Sequence, residues 1–295
     1  MIPVEILQKI KRIHITATRL ASDIFAGEYK SVFKGRGLEF HQVREYAVGD
    51  EIRFIDWNVT ARTDKAYIKE YIEERELTIM ILLDASRSNC FGSVERLKKE
   101  IAAEVASVLA ASANKNNDRV GLVIFTDRIE KFIPPRKGHH HILRIIREIL
   151  YHESIGKKTD IPLCLEYLDK VTTRSTVSFL ISDFYASGIE KPLSIANKRH
   201  DIIGIRITDP RDLEMPNAGV VSLRDAESGE TRLLDTSSAQ VREGYNRDAK
   251  RRFDESMKMF RSLKIDTVDI FTPVPYTEAL EKFFRNRVQK RRLRG

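Results

Sequence analysis

Sulfur is scarce in this chain: 295 residues hold two cysteines, Cys90 and Cys164, without the paired spacing of a thiolate metal site. The expectation is two free thiols, with no cofactor chemistry through thiolates. Long hydrophobic runs are also missing. No apolar stretch approaches the roughly 20 residues that a membrane-spanning helix needs, and the N-terminus lacks the uninterrupted apolar core of a signal peptide. A cytoplasmic protein is the expectation. The sequence has no Walker phosphate loop, no G-x-S-x-G and no H-E-x-x-H, which removes the commonest signatures of nucleotide, acyl-transfer and zinc-protease chemistry. Internal repeats and low-complexity linkers are absent as well.

Charge and apolar residues are both plentiful. The chain is 42% hydrophobic and 32% charged, a globular rather than disordered balance, and is long enough to bury a substantial core. Its net charge of +8 permits an anionic partner, but on so charge-dense a chain it does not identify nucleic acid.

Two regions precede the main pattern. Ile2, Ile6, Ile10, Ile13, Leu20 and Ile24 recur at roughly helical spacing among basic residues, predicting an amphipathic N-terminal helical region. From Gly35 to Arg62 the sequence GRGLEFHQVREYAVGDEIRFIDWNVTAR shows no sustained helical period. Its glycines mark loops or hairpin turns, and Phe40, Tyr46, Phe54, Ile55 and the single tryptophan, Trp57, can anchor it. Arg36, Arg44, Arg53 and Arg62 face Glu39, Glu45, Asp50, Glu51 and Asp56, which predicts internal pairing. Residues 1–75 are thus expected to be an extension packed on a main domain of residues 76–295.

In that main domain, apolar strands alternate with helices. Strands are predicted at Thr78–Leu83, Arg119–Phe125, Arg128–Ile133 (ended by Pro134-Pro135), Thr176–Ser182, Ile202–Ile207 and Thr267–Phe271. Helices are predicted at Val94–Ala113, His141–His152, Ile161–Val171, Ile189–Arg199, Ser238–Leu263 and Tyr276–Arg287, with a hairpin around Ser228-Gly229. The fold class is therefore α/β: a doubly wound, mostly parallel central sheet flanked by helices.

The stretch TIMILLDASRS, Thr78 to Ser88, holds the chemistry. Asp84, Ser86 and Ser88 follow a buried strand at alternate positions, and the apolar run VSFLIS likewise ends in an acid, Asp183. In a doubly wound sheet such strand ends share one edge, where ligands bind. Thr159 and Asp160, in the loop GKKTD before a helix, can face the same edge. Asp84, Ser86, Ser88, Thr159 and Asp183 would then surround one point with oxygen donors, a set suited to a hard divalent cation. Asp and Ser also serve as ordinary caps and turns, so a metal-free structural role is the alternative.

D-A-S-R-S, followed by Thr159 and by Asp183 in S-D-F, resembles the metal-ion-dependent adhesion site of von Willebrand factor A domains. The Gly35–Arg62 stretch, running directly into that strand, closely resembles the signature of the domain of unknown function 58 family. The resemblance implies a von Willebrand A type fold in which Ser86, Ser88 and Thr159 ligate Mg²⁺ (or Mn²⁺ or Ca²⁺) through hydroxyls, with Asp84 and Asp183 binding directly or through water. It further implies a non-enzymatic interaction module whose partner is a MoxR-type AAA+ ATPase, acting like a chaperone on client proteins. Any association with membrane proteins would be indirect. Two other readings stand beside it. One is a metal-assisted hydrolase. The other is nucleic-acid binding through Arg285, Arg287, Lys290, Arg291, Arg292 and Arg294, although a basic helix end is usually solvated and Phe283 and Phe284 suit helix docking better than base stacking. His139, His140 and His141 read as a helix cap rather than a metal site.

Overall fold

The computed structural model describes residues 15–20, 39–63, 65–72, 76–94, 96–225 and 229–292. Of the N-terminal helical reading, residues 15–20 are helical with Ala17 buried, whereas Ile2, Ile6, Ile10, Ile13 and Ile24 lie outside the described residues. Two compact units divide the chain, Phe33–Leu77 and the remainder.

In the smaller unit, β1 (Glu39–Glu45) pairs antiparallel with β2 (Tyr67–Ile72). Between them lie a 3₁₀ turn, Ile52–Phe54, and a short helix, α1 (Trp57–Thr63). The helix was not expected from a stretch without helical period. It starts because the Asp56 carboxylate accepts from the Asn58 and Val59 N–H groups, at 3.0 and 3.3 Å. The expected acid–base pairing is present in part: Arg44 grips Asp50 with both terminal nitrogens, at 2.7 and 2.8 Å, and Arg53 pairs with Glu51. Trp57 does not anchor the unit. It is 67% exposed, and among the described residues of the unit the buried apolar side chain is that of Ile68 on β2.

The larger unit is built on a six-stranded sheet, in order β10-β7-β6-β3-β4-β5. Its strands are β3 (Thr78–Asp84), β4 (Arg119–Phe125), β5 (Ile129–Arg136), β6 (Val177–Ser182), β7 (Asp201–Thr208) and β10 (Asp266–Phe271). All neighbours run parallel except β4 and β5. This is the doubly wound α/β class expected from the strand–helix alternation. The inner strands are uninterrupted apolar runs because helices cover both faces of the sheet.

β5 continues through Pro134 and Pro135 instead of ending before them. Among the described residues it is an edge strand with β4 as its single partner, so the missing proline N–H groups need not enter a ladder.

One face is covered by α4 (Ile161–Val171), α5 (Glu190–Arg199) and α7 (Ala239–Ser262), which contribute Ile161, Leu165, Leu193 and Phe260 to a core with Leu82, Phe125 and Leu180. Each such side chain contributes roughly 1.5–3 kcal/mol by leaving water. α2 (Lys98–Lys115) is buried along nearly its whole length, and its alanines let it lie close to its neighbours. α3 (His139–Tyr151) begins at the three histidines; His141 meets the Val120 carbonyl at 2.8 Å while His139 and His140 are exposed. A four-residue helix, α6 (Pro210–Leu213), follows β7, and β8 (Val220–Arg224) and β9 (Thr231–Asp235) form the expected hairpin.

The last helix is α8 (Tyr276–Arg292). It docks through Phe284, which is fully buried, and Phe283. Arg287 is also buried, donating to Asp201 at 2.5 and 2.6 Å, so part of the expected solvated basic end is a structural ion pair. Both cysteines are free thiols, Cys164 buried and Cys90 exposed. Among the described residues no helix is long and apolar enough to cross a membrane.

Candidate metal centre

The sheet order reverses between β3 and β6: from β3 the chain winds outward to β4 and β5, then returns to β6 and winds the other way. Parallel strands at such a reversal leave a crevice beyond their carboxyl ends. β3 ends at Asp84 and β6 at Ser182, so both place polar residues there.

Asp84 is 2% exposed and organises the crevice. Its Oδ1 accepts from the Ser86 N–H at 2.9 Å, turning the chain out of the strand, and Asn89 Nδ2 donates to its carbonyl at 3.1 Å. The chain then closes a 3₁₀ turn, Arg87–Cys90, which sets the Ser86 and Ser88 hydroxyls 3.1 Å apart. The other carboxylate oxygen, Oδ2, accepts from Ser182 Oγ at 2.6 Å and Thr159 Oγ1 at 3.4 Å. Thr159 is held there from both sides. Asp160 caps α4 by accepting from the Leu163 N–H and donates its own N–H to the Thr126 carbonyl, while the Arg87 N–H reaches the Lys157 carbonyl.

Asp183 is 5% exposed and follows Ser182 directly. Its carboxylate meets the ammonium of Lys98, with Nζ 3.2 Å from Oδ2, and the same ammonium lies 3.0 Å from Asp212 Oδ2 on α6. Burial alone would lower the Lys98 pKa, but Asp183 and Asp212 outweigh it and hold the group above its ordinary value. Burial, reinforced by the Asp183 charge, pushes Asp84 up to about 6 against the hydrogen bonds from Ser182 and Ser86.

The structure thus brings Asp84, Ser86, Ser88 and Thr159 into one hydrogen-bonded cluster, with Asp183 close enough to act on Asp84. Ser88 and Thr159 are partly exposed, so the cluster opens to the surface through its hydroxyls. The donor set fits a hard divalent cation: all oxygen, mostly neutral, with carboxylate charge that Lys98 only partly offsets. Among the described residues no three His, Cys, Asp or Glu side chains group as a metal site, so an ion here would depend on the hydroxyls.

Sequence reasoning missed Ser182 and Lys98. Ser182 was hidden as the last residue of an apolar strand. Lys98 carried a signal, since a lysine at the first position of a helix opposes the helix dipole and needs another reason to be there.

Beside the cluster opens a cavity of about 700 Å³ that shares Asp84 and Ser86 with it. Leu83, Ile124 and Ile149 form apolar lining, and Arg87, Lys99 and Glu153 contribute charge.

Residues 42–255 match the family model described as "Protein of unknown function DUF58". The uncharacterized protein Mb1516 of Mycobacterium bovis is 29% identical over 243 residues, covering 81% of this chain and 76% of that protein. Among solved structures, an aerotolerance-related membrane protein from Bacteroides fragilis is 15% identical with a TM-score of 0.47, covering 72% of this chain and 99% of the other. The SpRpn10 VWA domain is 13% identical with a TM-score of 0.37, covering 72% and 95%. At these scores the structural likenesses add nothing to what the sheet order already shows. The family match spans most of the chain, which belongs to the DUF58 family.

Proposed function

We propose that this chain is a non-enzymatic interaction module of von Willebrand A type, in which Ser86, Ser88 and Thr159 would hold a divalent cation, Mg²⁺ foremost. When bound, the ion would supply a positive point that an Asp or Glu of a partner protein completes. One observation carries this reading: three hydroxyls and two carboxylates converge at the sheet's reversal point, with the carboxylates buried and two of the hydroxyls reaching the surface.

The chain's own residues prepare the site. Ser182 and the Ser86 N–H hold both oxygens of Asp84 in place, and the neighbouring cavity offers apolar surface for residues flanking the partner's acid. A serine nucleophile is not favoured, because the Ser86 and Ser88 hydroxyls contact each other.

The family resemblance suggests the partner. A MoxR-type AAA+ ATPase, in a cytoplasmic, chaperone-like system that matures client proteins, would use this module as an adaptor. Biolayer interferometry against such an ATPase, in Mg²⁺ and in chelator, tests the reading. Association should require the metal and disappear in Ser86→Ala; association indifferent to chelator contradicts it.

A further inference from the structure

We propose that Lys98 is an internal cation that competes with the metal for Asp183, so that the site binds a divalent ion weakly until a partner's carboxylate arrives. This inference rests on the metal reading above and concerns its regulation.

Lys98 is 1% exposed and among the largest fully buried side chains in the protein. Lysine stems usually run along the surface with the ammonium in water, as the exposed neighbour Lys99 shows is open to this stretch of chain. Helix stability does not account for the burial. Lys98 opens α2, where a positive charge opposes the helix dipole, and the first turn already has its favourable acid in Glu100, which accepts from the Leu97 N–H. What remains is the pair of carboxylates. Asp183 stands at the end of β6, and Asp212 stands on α6 after β7.

That geometry has two effects on a cation at the cluster. Asp183 Oδ2 is already engaged by the ammonium, so it is less available to an ion or to water bound on an ion. The ammonium is also a fixed positive charge beside the site, and like charges repel strongly where solvent is excluded. Asp212 moderates both effects. It draws the same ammonium at 3.0 Å and is itself fixed, since its Oδ2 also accepts from the Asp209 N–H at 2.9 Å. Lys98 is therefore shared between an acid of the site and an acid behind it, and the balance between them sets the charge the metal meets. A partner carboxylate adds the negative charge that Lys98 withholds.

The pairing makes a test with two opposite signs. Lys98→Met removes the competing cation, whereas Asp212→Asn keeps it and leaves it to Asp183. Mg²⁺ is titrated calorimetrically into chelator-treated wild type and both variants, with circular dichroism confirming the fold. Lys98→Met should bind Mg²⁺ at least tenfold more tightly than wild type, and Asp212→Asn should bind it more weakly. A lysine with only a structural role would move both variants the same way; that result, or an unchanged affinity in folded Lys98→Met, overturns the proposal. Should Lys98→Met fail to fold, Asp212→Asn decides: weaker binding supports the proposal, and equal or tighter binding overturns it. Absence of Mg²⁺ binding in every folded protein, with acetate added as the partner's carboxylate as well as without it, rejects the metal reading and this proposal with it. Binding by wild type that Lys98→Met leaves unchanged rejects this proposal alone.

Discussion

A Cβ on Gly156 would lie 2.0 Å from Thr126 Oγ1, and 2.1 Å from Asp127 Oδ1, so the chain passes Thr126 at a distance only glycine permits. The contact matters because Gly156 opens the segment GKKTD that carries Thr159 to Asp84. Glu130 fixes the same point, its Oε1 accepting from the Gly156 N–H at 2.7 Å and Thr126 Oγ1 at 2.8 Å. Gly156→Ala should push this segment outward, costing about 1–3 kcal/mol in urea unfolding and weakening Mg²⁺ binding. Unchanged stability and affinity would show that the close approach does not set the position of Thr159.

The two site substitutions that look equivalent in sequence, Ser86→Ala and Asp183→Ala, should differ in stability. Ser86 gives up a hydroxyl contact with Ser88, at a cost of about 1 kcal/mol. Asp183→Ala leaves the buried Lys98 ammonium with Asp212 alone, and breaking a buried pair costs about 3–5 kcal/mol. Chemical denaturation separates them, and equal midpoints would mean Asp212 satisfies Lys98 unaided. Ser86→Ala is thus the cleaner probe of function.

Arg287 and Lys290 sit one turn apart on α8 and both reach Asp266, yet they should not be interchangeable. The Arg287 side chain is 10% exposed and also donates to Asp201, whereas that of Lys290 is 63% exposed. Arg287→Ala should lower stability by about 1–3 kcal/mol, since it strands partly buried acids, and Lys290→Ala by less than about 0.5 kcal/mol. Thermal melts of the two variants check this; equal small losses would return Arg287 to the solvated basic face that the sequence suggested.

His200 should make part of the stability pH-dependent. Its Nδ1 accepts from the Thr176 N–H at 3.2 Å, which leaves Nε2 to donate to Asp169 at 3.0 Å. Burial holds the imidazole below its ordinary value of 6.5, although Asp169 opposes the shift. The unfolded chain therefore takes up the proton first. Neutral His200 contributes fully above 6.5, and the contribution is lost as pH falls through the lower folded value. Asp84 acts oppositely, because its raised pKa of about 6 favours the folded state at low pH and that preference fades as pH rises. Comparing wild type with His200→Asn cancels Asp84. The Tm advantage of wild type should shrink between about pH 7 and pH 5; a constant gap would mean that His200 is not held neutral.

The sheet was legible because buried parallel strands are short apolar runs, and Arg119–Phe125 is bounded as its composition suggests. The start of α4 was legible because the sequence places Thr159 and Asp160 directly before the helical pattern at Ile161. What escaped depends on contacts between distant segments. Pro134 and Pro135 read as a stop, since edge position is a property of the sheet and not of the strand. Trp57 read as an anchor by hydrophobicity, but it opens a helix whose start is fixed by Asp56. At the site, the spacing of Asp84, Ser86 and Ser88 announced a shared edge. Ser182 and Lys98 did not announce themselves, because their roles arise from Asp84 and Asp183, which lie 98 and 85 residues away from them.

The proposed function requires a divalent cation among Asp84, Ser86, Ser88, Thr159 and Asp183. Crystals of chelator-treated protein soaked in Mn²⁺, with acetate standing in for a partner's carboxylate, locate such an ion directly by anomalous scattering. One strong peak is expected within bonding distance of the Ser86, Ser88 and Thr159 hydroxyls. A peak elsewhere alone, or no peak at saturating Mn²⁺, would contradict it and leave these residues as the caps and turns of a metal-free scaffold.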